Sequence, residues 1–70
     1  GLNDRLAFIK NLFNGSVEEY QRVVSQIQTY DDPEEAQNFI ENLVKPDYNH
    51  WEGKESFELR FIKIIEQNFN

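Results

Sequence analysis

Two four-residue segments, Ser16-Val17-Glu18-Glu19 and Asp32-Pro33-Glu34-Glu35, do most to constrain what this chain can fold into. Each has the residue order of a capping box. An N-cap side chain accepts from the amide three residues on, while Glu19 or Glu35 reaches back to the cap amide. Pro33 adds a backbone pre-set for the first helical position. Asn14-Gly15 and Pro46 supply the stops. This punctuation predicts an all-α domain, a compact bundle of four short helices at about 4–14, 17–29, 33–44 and 54–68.

The apolar pattern fills those limits at 100° per residue. The first helix, with Asn3 as its cap, carries Leu6, Phe8, Ile9, Leu12 and Phe13 on one wide arc, with Lys10 and Asn11 opposite. Gly15 then provides the left-handed residue that ends it. The second helix presents Val17, Tyr20, Val23, Val24, Ile27 and Tyr30, and the third buries Ala36, Phe39, Ile40, Leu43 and Val44. Lys45 to Gly53 reads as an irregular connection anchored by Tyr48 and Trp51. The fourth helix is the most apolar. Phe57, Phe61, Ile64 and Ile65 form its stripe, Ile62 and Phe69 widen it, and Leu59 lies about 60° beyond its edge at Ile62.

Seventy residues without a single Cys exclude a disulfide framework and a thiolate metal site. Packing alone must hold the fold, and at this size it supplies only about 3–5 kcal/mol. Six Phe among the aromatic residues answer that need, because large rings bury much surface per ordered residue. No stretch approaches the roughly 20 apolar residues of a membrane span, and no signal-peptide core is present. The opening Gly-Leu-Asn and the absence of Met read as a domain excised from a longer protein, with Gly1 a tag remnant.

The net charge of −6 is unevenly spread. Residues 1–15 set Arg5 and Lys10 against Asp4, whereas residues 31–46 set Asp31, Asp32, Glu34, Glu35 and Glu41 against Lys45 alone. Nucleic acid and anionic membranes are repelled by such a surface.

Several chemistries fail on their own residues. Asp47, Asn49, Glu55 and Glu58 fall at calcium-loop positions, but Trp51 occupies a ligand position and Gly53 stands one place late. Glu55-Ser56-Phe57-Glu58-Leu59 is similar to the phosphopantetheine segment of acyl carrier proteins. Only a short tail follows Ser56, however, and Glu replaces the Asp of that segment. A helix-turn-helix drawn across the second and third helices would turn an acidic, Arg- and Lys-free surface towards phosphates. His50 is the only imidazole, near Asp47 and Glu52 in a loop, and a general base needs an orienting group and a pocket. Trp51 reads as an apolar staple that docks the loop on the fourth helix rather than as a stacking platform for a ligand. No catalytic, cofactor or metal site is expected.

Asn3-Asp4-Arg5, Phe8-Ile9-Lys10 and Leu12-Phe13, closed by Gly15, resemble the start of a small helical module in a family of uncharacterised bacterial proteins. The resemblance continues through Glu35-Ala36, Trp51 and the closing Phe61, Ile64-Ile65 and Phe69, and so spans nearly the whole chain. It implies a C-terminal module of a longer, cytoplasmic bacterial protein and carries no assigned activity.

The remaining expectation is a protein partner. A helix apolar over more of its circumference than one packed face needs leaves side chains for binding. Leu59, Ile62 and Phe69 are the expected contacts, with Arg5, Lys10, Arg60 and Lys63 as a charged rim. The chain is then a non-catalytic interaction or regulatory module, a monomer or weak homodimer. A structural or oligomerisation domain is the alternative, and a small enzyme or acyl-carrier-like domain comes third.

Overall fold

Both N-caps form where the sequence places them, but neither Glu19 nor Glu35 accepts from the cap amide, so neither capping box closes. In the computed structural model, which describes residues 2–69, Ser16 Oγ accepts from the Glu19 amide at 3.1 Å and starts α2 (Val17–Ile27). The Ser16 amide already donates to the Phe13 carbonyl at 2.9 Å, so the Glu19 carboxylate is free to work elsewhere. It takes the Arg22 guanidinium and the Tyr48 hydroxyl instead. Asp32 caps α3 (Pro33–Phe39) through the Glu34 amide at 2.9 Å, one residue earlier than a capping box requires.

The other boundaries shift modestly. Helix α1 (Leu2–Leu12) begins before Asn3, which therefore lies in its first turn and does not cap it. Gly1 and its reading as a tag remnant lie outside the described residues. Asn14 and Gly15 both turn left-handed, at φ 54° and 82°, and the Gly15 amide closes on the Ile9 carbonyl at 2.8 Å. At the end of α2, the Thr29 amide and hydroxyl both bind the Gln26 carbonyl, which tightens the turn and stops the helix short of position 29. The last element, α4 (Glu55–Gln67), follows a left-handed Gly53 and an uncapped Lys54.

Helix α3 does not run as an α-helix to Val44. From Ile40 to Val44 it widens into a π turn, closed by the Lys45 amide on the Ile40 carbonyl. A wider turn advances each residue by less than the α-helical 100°, which rotates Val44 into the core and Leu43 out of it. Val44 is buried and Leu43 is 64% exposed, against the expectation that both are core.

The connection is irregular as expected: a short 3-10 segment, Lys45–Trp51, kinks at Tyr48, where φ is −128° and ψ 35°, and has Pro46 at its start, where the missing N–H costs nothing. It ends in three left-handed residues, Asn49, His50 and Trp51, at φ 54–55°. Asn and His tolerate that region, whereas a bulky Trp does not. The burial of Trp51 offsets the strain. Its ring is 1% exposed, and its indole N–H donates to the Leu12 carbonyl at the end of α1.

Aromatic rings join α1, α2, the 3-10 segment and α4. Phe61 of α4 lies edge-on to Phe8, Phe13 and Trp51 at centroid distances of 5.2–5.8 Å, and Phe13 also meets Tyr20 and Tyr48. Such pairs add about 0.5–1.5 kcal/mol each beyond the area they bury. No polar or charged residue is buried among those described. The fold is a small all-α bundle whose core is a ring cluster centred on Phe13 and Phe61.

Two further residues assigned to the core lie outside it. Leu6 is 55% exposed because it points about 160° around α1 from Phe8, the ring that meets α4. Val17 is the first residue of α2, where no preceding turn covers it, and it too is exposed.

Candidate interaction surface

The face of α4 opposite the ring cluster holds Leu59, 70% exposed, with half-buried Ile62 beside it. The two line a shallow open groove together with Glu55 and Glu58. Phe69, expected in the same patch, lies elsewhere. It lines a cleft of about 150 Å3 between the C-terminal ends of α2 and α4, with Val24, Ile27, Tyr30 and Ile65. The three expected contacts therefore divide between two concavities.

The expected basic rim is redistributed as well. Arg5, Lys10 and Lys63 are exposed. Arg60 is engaged: its guanidinium donates to the Asp4 carboxylate of α1 and stands 6.0 Å from the centre of the Phe8 ring. That hydrogen bond, more than any other influence, holds the Asp4 carboxyl below the usual carboxylate range. Arg60 thus stitches α1 to α4, and the charges beside Leu59 and Ile62 are the carboxylates of Glu55 and Glu58.

Two further polar ties were missed at the sequence level. Lys45 Nζ bonds Glu58 at 2.7 Å and Glu41 at 3.0 Å, which joins the π turn to α4, and these bonds, the one to Glu58 foremost, raise the Lys45 pKa. The Tyr48 hydroxyl donates to Glu19 at 3.0 Å. Burial first, and that acceptor second, push the Tyr48 pKa up to about 12. The Arg22 guanidinium, followed by the Tyr48 hydroxyl, holds Glu19 low. The spacings of Glu41 to Lys45 and of Glu19 to Arg22 are the local signals for these.

The decoy chemistries have definite positions. Asp47 and His50 are exposed on the 3-10 segment, and Glu58 is committed to Lys45. Ser56 lies exposed in the first turn of α4. Among the described residues no group of three or more His, Asp or Glu side chains is placed to hold a metal ion. No helix among them is long and apolar enough to cross a membrane.

Residues 1–70, the whole chain, match a family described as a domain of unknown function (DUF8457). The chain belongs to that family. No curated protein and no solved structure matches it. For this DUF8457 domain the surface itself is the guide to function.

Proposed function

We propose that the domain is a non-catalytic protein–protein interaction or regulatory module that uses the outer face of α4. The observation that carries this reading is Leu59, a large apolar side chain held out in solvent on the element whose opposite face anchors the core. In a small, marginally stable domain an exposed leucine beside a half-buried isoleucine adds nothing to folding, and it suits an anchor for a partner. The acidic surface favours a protein partner over nucleic acid. The setting we infer, from the resemblance, is a C-terminal module of a longer cytoplasmic bacterial protein, itself monomeric or weakly dimeric.

The groove formed by Leu59 and Ile62 supports a second reading, an oligomerisation domain in which another copy covers it. Quantitative capture of cross-linked partners by the chain and by Leu59→Ser, with sedimentation of both, tests the two readings. Loss of a captured partner in the variant, with the chain monomeric, supports the module. A dimer that the variant abolishes supports oligomerisation, and identical partners and mass for both chains overturn the use of this face.

A further inference from the structure

A second surface, on different elements, has a more definite chemistry. Tyr30, Phe39 and Leu43 line a shallow groove along the outer side of α3 and its π turn, with Glu35, Asn38 and Asn42 beside them. Leu43 is the most exposed apolar side chain there, turned out by the π winding. Single π turns of this kind recur at functional sites. Tyr30, stacked obliquely on Phe39 at 5.8 Å, also forms a wall of the adjoining apolar cleft at the ends of α2 and α4. That cleft, at about 150 Å3, fits one apolar side chain and is too small for a cofactor.

The charge around the groove is of one sign. From Val23 to Val44 the chain has no Lys, Arg or His, while Asp31, Asp32, Glu34, Glu35 and Glu41 are all exposed. Only Glu41 has a basic partner among the described residues, Lys45 at the far end. We propose that this groove docks a short cationic amphipathic segment of a partner protein, its apolar side chains on Leu43 and Phe39 and its Lys or Arg residues over the surrounding carboxylates. Charge complementarity selects this occupant. A second copy would bring the same acidic face, and nucleic acid or an anionic membrane would be repelled. Glu35 to Leu43 spans about 12 Å at helical rise, room for about two turns of a docked helix. The proposal is independent of the α4 face, since it shares no residue with the Leu59 groove.

The test is a titration of the isotopically labelled chain, followed by amide NMR shifts, with three peptides of about ten residues. One carries Leu at helical spacing flanked by Lys; in the second Glu replaces each Lys; in the third Ser replaces each Leu. Saturable shifts centred on Tyr30, Asn38 and Leu43 are expected with the first alone, weakening as salt is added. Leu43→Ser is expected to weaken binding about ten-fold, as truncation of an anchor does, whereas Leu59→Ser leaves it unchanged. Glu34→Lys with Glu35→Lys gives the same loss without touching an apolar residue. Equal binding of the second or third peptide, shifts centred on Leu59, or no saturable binding would each overturn the proposal.

Discussion

The indole N–H of Trp51 donates to the backbone carbonyl of Leu12 at 2.8 Å, a buried bond between residues 39 apart. Leu12 is the last residue of α1, so its carbonyl lacks an intrahelical donor and Trp51 supplies one. The bond also accounts for the left-handed backbone at Trp51, which turns the ring under the end of α1.

Trp51→Phe keeps an aromatic ring and removes the donor. The orphaned carbonyl alone is expected to cost about 1–3 kcal/mol. For a domain of this size that lowers the melting temperature by at least about 4 °C. Thermal unfolding followed by circular dichroism checks it, and an unchanged midpoint would mean that the bond contributes nothing.

Alkaline pH is expected to weaken the fold through Tyr48. Its pKa rises on folding from 10.0 to about 12, so its contribution is complete below pH 10 and is lost as pH climbs to about 12. Lys45, also raised, loses its contribution in the alkaline range too, and Tyr48→Phe is needed to isolate the tyrosine. Phenolate absorbance should show one step near pH 12 that the variant lacks, and the variant should lose less stability across that window. Glu19 acts in the opposite direction. Its lowered pKa gives stability that is complete above about pH 4.5 and is lost as acid protonates the folded state.

Asp32→Ala removes the acceptor of the Glu34 amide at the start of α3. A cost of about 0.5–2 kcal/mol is expected from equilibrium unfolding in urea. A difference below the error of the fit would show that α3 starts without that cap.

Calcium or zinc, titrated to millimolar concentration, is expected to leave Trp51 fluorescence and the melting temperature unchanged. Glu58, the closing carboxylate of the apparent calcium loop, is committed to Lys45, and Trp51 is buried in the core. A saturable micromolar transition would contradict this, because a metal that binds only the folded state must raise stability.

The parts of the fold that were legible in the sequence are those with local causes. Ser16 and Asp32 mark helix starts because a cap needs only the amides two or three residues ahead. The stripes of α2 and α4 follow from periodicity, and Phe61 and Ile65 are buried as that period requires. Leu43 escaped it because the π turn breaks the 100° period on which that reading rests. Trp51 was expected to staple the loop to α4, and it does meet Phe61, but its polar end serves α1.

The candidate surface was legible only in part, for the same reason. Leu59 could be placed outside the core from its angle on one helix. The pairing of Arg60 with Asp4, 56 residues away, and of Lys45 with Glu58 depends on how helices cross, so a rim read as free basic charge is in fact partly engaged. The separation of Phe69 from Leu59 has a similar origin, in the end of α2 that packs beside the end of α4.

The central claim is that α4 holds Leu59 out for a partner and not for the fold. The unfolding free energy of Leu59→Ser tests it most directly. A change within about 0.5 kcal/mol of the parent chain, as at ordinary surface positions, is the result the account predicts. A loss of about 2–5 kcal/mol, typical of truncating a buried leucine, would contradict it.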